Sequence, residues 1–208
     1  MNTPQPFRQI HLDFHTNDQI PAVGAAFDPE VFAATLARAR VNSINLFARC
    51  HHGWLYFDSQ RFPERRHPTL RQPLLREQIE ACHALGIRTP IYVTVQWDDF
   101  TAQQHPEWLA RTADGRVANI YGRPGTPPFE AGFYRALCLN SPYVDFLKAH
   151  VAELFELMPV DGLWFDIVAP VDDSSAWTRT AMLAYGLDPA DPVQRRAYGQ
   201  TVVDTFKL

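Results

Sequence analysis

The sharpest chemical feature of the sequence is an acid at the end of an apolar run. In DGLWFDIV (161–168), Asp166 closes Leu-Trp-Phe, and a charge placed there is costly unless it has a partner or a task. At the C-terminal end of a strand, a carboxylate can act as a nucleophile or a general base. It can also cap the following loop or pair with an arginine. A second cluster, CHHGWLYFDS (50–59), follows another apolar run. His51 and His52 can donate hydrogen bonds to substrate hydroxyls, and Trp54 offers a flat face to a sugar ring or another apolar ligand. In the alternative reading one histidine is solvated, the other is buried and satisfied, and Trp54 belongs to the core.

A third set lies near the N-terminus, where His11, Asp13 and His15 alternate in IHLDFH. Period-two spacing on a strand places all three on one face. Such a set could ligate a divalent metal with Asp166 as a further ligand, as in metal-dependent amidohydrolases. Those enzymes use histidines two apart, whereas Asp13 intervenes here. Otherwise Asp13 and His15 line a pocket or close a hydrogen-bonded network. Gln96 and Asp98 add polar groups at the end of IYVTVQW, and Asp99, Glu130, Asp172 and Asp173 are loop carboxylates. Trp54, Tyr56, Trp97, Tyr121, Phe133 and Tyr134 fall at strand ends or in loops, and Trp108 and Trp164 read as core.

The elements that must position these groups alternate along the chain. Residues 8–15 read as a strand. Asp28-Pro29-Glu30 opens a helix, with Asp as cap and Pro in the first turn. SINLFA (43–48) is an apolar run suited to a buried parallel strand. PLLREQIEACHAL (73–85) puts Leu74, Leu75, Ile79, Cys82 and Leu85 on one helical face, and Gly86 stands where a C-terminal glycine belongs. IYVTVQW (91–97) is β-branched and aromatic, a strand pattern. A long irregular stretch, about 98–140, holds a short helical piece at HPEWLAR, a turn at Ala113-Asp114-Gly115-Arg116, and YGRPGTPPFEAGF. A loop of that length is usually a lid or a binding loop. Ser141-Pro142 starts a helix to about Leu157, GLWFDIV (162–168) is a strand, and a last helix begins near Pro192.

Successive βα units predict a parallel sheet covered by helices. A small open sheet and half of a barrel both fit four such units. Polar residues gathered at strand C-terminal ends favour the barrel. The expected fold is therefore α/β: the N-terminal half, about four βα units, of a (β/α)8 TIM barrel, truncated, with residues 1–208 forming one part-domain. Thr205-Phe206-Lys207-Leu208 ends inside a helical pattern with no stop signal, which agrees with a fragment.

Composition narrows the partners. With 208 residues, 46% hydrophobic and 20% charged, the chain can bury a sizeable core. A net charge of −4 without a basic block argues against nucleic acid and anionic membranes. No apolar run is long enough to span a bilayer, and no signal peptide is visible. Three scattered cysteines, Cys50, Cys82 and Cys138, fit buried thiols in a reducing cytoplasm.

CHHGWLYFDS resembles the His-His-Asp-Gly-Phe…Trp-x-Ser segment that follows the second strand in α-L-fucosidases. DGLWFD is similar to their Leu-Trp-Phe-Asp strand, whose aspartate is the nucleophile, and GIRTPIYVTVQW sits where their third strand runs. The closer overall resemblance is to uncharacterised glycoside hydrolases of the same barrel type, which resemble both fucosidases and β-galactosidases with a trimerisation domain. It covers about 8–206, and the specific motifs cover some twenty residues. The chain departs from the fucosidase pattern in lacking the Asp between His52 and Gly53, in carrying Cys50 for Lys, and in its first strand.

The resemblance implies a retaining glycosidase with Asp166 as nucleophile and His51 and His52 on sugar hydroxyls. Trp54, His15, Gln96 and Asp98 are further pocket candidates. The partner is a carbohydrate, no cofactor is needed, and a homo-oligomer is left open. A retaining mechanism requires a second carboxyl about 5–5.5 Å from the first. In barrels of this type it comes from a later strand or loop, so the isolated chain is expected to be inactive. A noncatalytic carbohydrate-binding or subunit-interaction protein on the same scaffold is the alternative, and a metal-dependent barrel hydrolase is a further one.

Overall fold

The computed structural model describes residues 8–119 and 134–206. Among them, contacts divide the chain into two compact units. Of the described residues, the first comprises 8–50, 54–93 and 150–166, and the second 51–53, 94–119, 134–149 and 167–206. Tyr121, Glu130, Phe133 and the Pro/Gly-rich run around them lie outside the described residues.

The first unit carries a four-stranded sheet in the order β1-β2-β3-β4: β1 (Gln9–His11), β2 (Ser43–Arg49), β3 (Ile91–Thr94) and β4 (Leu163–Asp166). β1 pairs parallel with β2, and β2 with β3. Sequential order without a reversal is the order of a (β/α)8 barrel, whereas doubly wound sheets reverse at a switch point. The irregularity between Phe47 and Arg49 shifts the β2–β3 register by one residue.

Alternation assigns the faces. Ile44, Leu46, Ala48, Ile91 and Val93 form one cluster with Leu36 of α1 (Pro29–Arg38), Leu75, Ile79 and Cys82 of α2 (Leu74–Ala84), and Leu154 of α4 (Tyr143–Leu157). Ile10 and Leu163 pack against it. On the opposite face Phe47 and Tyr92 join Val23, Tyr56, Leu70 and Leu74 in a second cluster. Asp28 caps α1 by accepting from the Val31 N–H at 2.9 Å. Gly86 adopts φ +69° after α2, as its position implied. Leu85, expected on the buried face, is instead 51% exposed, because the helix ends at Ala84.

Two strands are shorter than their apolar patterns. Only Gln9–His11 of the expected 8–15 pairs. The following residues instead cover Tyr56, whose hydroxyl accepts from the Thr16 N–H at 3.1 Å. The expected strand 91–97 stops at Thr94, whose hydroxyl donates to the Trp97 carbonyl at 3.0 Å and bends the chain. Trp164, expected in the core, is 47% exposed on β4, and its neighbour Phe165 is 41% exposed.

In the second unit the long irregular stretch is partly built. α3 (Asp99–Gln104) starts at its cap Asp98, a 3-10 turn spans Pro106–Trp108, and isolated bridges join Trp97 to Ala136 and Leu109 to Leu137. The turn at residues 113–116 is present, with Gly115 at φ +84°. α5 (Ala176–Ala184), read in the sequence as loop, is capped by the Ser175 side chain, and α6 (Pro192–Phe206) begins at the expected proline.

Candidate active site

Asp166 is the last residue of β4 and is half-buried. In the first unit its carboxylate Oδ2 accepts a hydrogen bond of 2.6 Å from the Tyr92 hydroxyl of β3. That length is typical of a charge-assisted O–H···O⁻ bond. Tyr92 is fully buried and stacked on Phe47 of β2, with ring centroids 4.0 Å apart and planes 15° apart. Burial first, and the Asp166 carboxylate second, push the Tyr92 phenol above its ordinary pKa, so it remains a donor across the physiological range. The next residue, Ile167, has φ +58°, a strained conformation for a β-branched side chain and one that clusters at functional sites.

The N-terminal triad joins this cluster although its strand ends early. Asp13 lies 2.9 Å from His15 Nε2 and 3.5 Å from His11 Nε2. Both imidazoles stand edge-on to Tyr92, at 5.5 Å for His11 and 6.0 Å for His15. Burial lowers the His15 pKa, and Asp13 and Asp166 pull against that. Tyr92 thus lies against His15 on one side and bonds the Asp166 carboxylate on another. Trp54 is placed against His67, ring centroids 6.1 Å apart.

His51, His52, Gln96 and Asp98 belong to the second unit. His51 is buried, with Nδ1 2.9 Å from the Thr94 hydroxyl and its ring edge-on to Trp97 at 4.9 Å. The His52 carbonyl accepts from the Phe100 N–H at 3.1 Å. Gly53 makes this turn possible. Its φ is +88°, and a Cβ there would come within 2.3 Å of Asp98 Oδ1. Asp98 is buried and accepts from the Thr101 N–H and hydroxyl, both at 2.8 Å. Gln96 Oε1 accepts from the Ala169 N–H at 2.7 Å. Both side chains hold local structure, and Gln96 also lines a small pocket of the second unit with Ala169, Val171 and Tyr198.

The loop carboxylates are similarly engaged. Asp99 pairs with Arg135 at 2.5 Å and Asp172 with Arg195 at 2.8 Å. Asp173 accepts from the Arg111 and Ser175 N–H groups, each at 2.8 Å. Among the described residues no group of three His, Cys, Asp or Glu side chains is arranged to hold a metal ion. Nor is any helix among them long and apolar enough to cross a membrane.

Sequence reasoning did not single out Tyr92. The signal was present: Tyr92, Thr94 and Gln96 alternate with Ile91, Val93 and Val95, a polar line on an otherwise apolar strand.

Four parallel strands in sequential order, with Asp166 at the C-terminal end of the last, are consistent with part of a (β/α)8 barrel. The comparisons give the family. Residues 28–167 match the family described as Hypothetical glycosyl hydrolase 6, and the chain belongs to it. Among solved structures it is similar to alpha-L-fucosidase isoenzyme 2 from Paenibacillus thiaminolyticus, with 36% identity and a TM-score of 0.85 over 97% of this chain and 29% of that one. The chain therefore spans less than a third of that enzyme's length. Flavobacterium johnsoniae chitobiase matches at 15% identity and a TM-score of 0.59, over 96% of this chain and 30% of that one. A hypothetical protein from Ruminiclostridium thermocellum matches at 11% and 0.51, over 77% and 76%. These two speak for the fold alone. No curated protein matches the sequence.

Proposed function

We propose that this chain is the N-terminal part of the catalytic barrel of a retaining glycoside hydrolase that acts on α-L-fucosides, with Asp166 as nucleophile. The observation that carries the reading is the half-buried Asp166 carboxylate at the C-terminal end of β4, held by Tyr92 and flanked by His15. Family membership and the 36% identity to a fucosidase support it.

In this reading one Asp166 oxygen attacks the anomeric carbon as the bond from that carbon to the leaving oxygen breaks. A carboxylic acid supplied from outside these residues protonates the leaving group. The same group, now a carboxylate, then takes a proton from water as water displaces Asp166 and restores the starting anomer. The further candidates for holding the sugar are His15 and Trp54 in the first unit and His51, His52, Gln96 and Asp98 in the second. Exposure of Trp164 and Phe165 on β4 supports a sheet that continues in further strands. Alone, the chain should turn over little or none of the substrate.

The test replaces Asp166 with Asn in the protein expressed with whatever sequence follows residue 208 in its gene. Turnover of an aryl α-L-fucoside should fall by on the order of 10³-fold or more while fucose binding persists. In an Asp166→Gly variant, which vacates the volume of the carboxylate, added azide should restore turnover as a fucosyl azide of inverted anomeric configuration. Wild-type turnover in Asp166→Asn would remove Asp166 from the mechanism.

A further inference from the structure

Tyr92 is buried on all sides, yet its single polar atom is spent on one oxygen of the carboxylate that the proposed reaction uses. A buried phenol that only needed a partner could take a backbone carbonyl, as Tyr143 does with the Val95 carbonyl at 2.6 Å in the second unit. Tyr92 also has little freedom to turn away. Phe47 lies flat against its ring at 4.0 Å, and His11 and His15 close on it edge-first. The hydroxyl is therefore a fixed donor aimed at Oδ2.

On the reading that Asp166 is the nucleophile, we infer that Tyr92 is a positioning residue that assigns the two oxygens of Asp166 separate tasks and favours the second half of the reaction. With Oδ2 bonded to the phenol, Oδ1 is the attacking atom. When the Oδ1–carbon bond forms and the leaving oxygen departs with its electron pair, Oδ2 becomes the carbonyl oxygen of an ester and loses most of its negative charge. The bond from Tyr92 then weakens. When water displaces the sugar, the electron pair of the Oδ1–carbon bond returns to the carboxylate, charge reappears on Oδ2, and the bond strengthens again. A donor whose interaction grows toward the transition state accelerates that step. Tyr92 thus assists departure of the carboxylate and gives no comparable help to its attack.

That asymmetry distinguishes a positioning role from a packing role. In the same extended protein, Tyr92→Phe keeps the ring and its stack on Phe47 and removes only the donor. With an aryl fucoside of good leaving ability, kcat should fall about ten- to hundredfold, the range for a hydrogen bond to a charged group. KM should fall in parallel because the fucosyl-enzyme accumulates. A burst of aryl alcohol equal to one enzyme equivalent should precede the steady state, and the melting temperature should stay near the wild-type value. Phe47→Leu, which loosens the ring but keeps the hydroxyl, should give the same signature in weaker form and serves as the readout should Tyr92→Phe not fold. Unchanged kcat and KM without a burst would overturn the inference, as would a loss of kcat with KM constant or raised. Asp166→Asn separates the two claims. Retained turnover there overturns nucleophile and positioning role together, whereas its loss beside a wild-type-like Tyr92→Phe overturns only the role of the tyrosine.

Discussion

The two faces of the sheet in the first unit are made by the same strands and serve different ends. One face presents Ile10, Ile44, Leu46, Ala48, Ile91, Val93 and Leu163, all aliphatic, to apolar residues from α1, α2 and α4. The other carries Phe47 and Tyr92, with His11 and Trp164 against one another at a ring spacing of 6.1 Å and Asp166 bonded to Tyr92. The first face is closed by the chain's own helices. The second is closed at β2 and β3 and opens towards solvent at the flanking strands, where His11 and Trp164 are exposed. Period two is what allows this division: alternate residues of each strand face opposite sides of the sheet.

The comparison predicts that neighbouring residues on one strand fail in different ways. Leu46→Ala, on the closed face, should cost about 2–5 kcal/mol of stability through lost burial and the cavity left behind. Chemical denaturation should show this as a lowered midpoint. On the proposed function, fucose affinity of the folded protein, expressed with the sequence that follows residue 208, should be unchanged. A large affinity loss without a stability loss would break the assignment of faces.

A smaller effect is expected on the open side from acidification. Burial is the first cause that holds His15, and His67 beneath Trp54, below their ordinary pKa of 6.5. The unfolded chain therefore takes up protons near pH 6.5 that the folded chain resists. The stabilisation is complete above that value and is lost as pH falls from it towards the folded pKa values. The melting temperature should decline between pH 7.5 and 5.5, and His67→Gln should flatten the decline. A rise on acidification would contradict the direction.

The smallest effect tests the covering layer itself. Asp28→Ala removes the cap of α1 and should cost about 1 kcal/mol, read as a modest fall in the same denaturation midpoint. If the loss equalled that of Leu46→Ala, α1 would be holding the closed face through its terminus more than through Leu36.

Much of this arrangement was legible in the sequence, and the misses share a cause. α1 was readable because Asp28 and Pro29 are local signals that act within one turn. β2 was readable because an unbroken apolar run suits burial on both faces. α3 and α5 were overlooked because they are short and begin at Asp98 and Ser175 inside stretches whose polar composition resembles loop. β1 and β3 were overextended because an apolar pattern reports burial and not pairing. Phe14 and Thr16 are occupied with Tyr56, and Thr94 turns the chain back upon Trp97.

For the site, the sequence by itself determined which residue types stand where strands end: Asp166 after Leu-Trp-Phe, the His51-His52 pair, and the alternating His11, Asp13 and His15. Those positions follow from local periodicity, which the chain carries wherever it goes. Only the tertiary structure decided that Asp13 gathers both histidines beside Tyr92, that Asp98 accepts from Thr101 and Gln96 from the Ala169 N–H, and that a phenol from β3 is the donor to Asp166. These depend on lateral neighbours in the sheet and on which hydrogen-bond partners a fold leaves within reach. Residues 74 positions apart, as Tyr92 and Asp166 are, meet only once the intervening chain has folded.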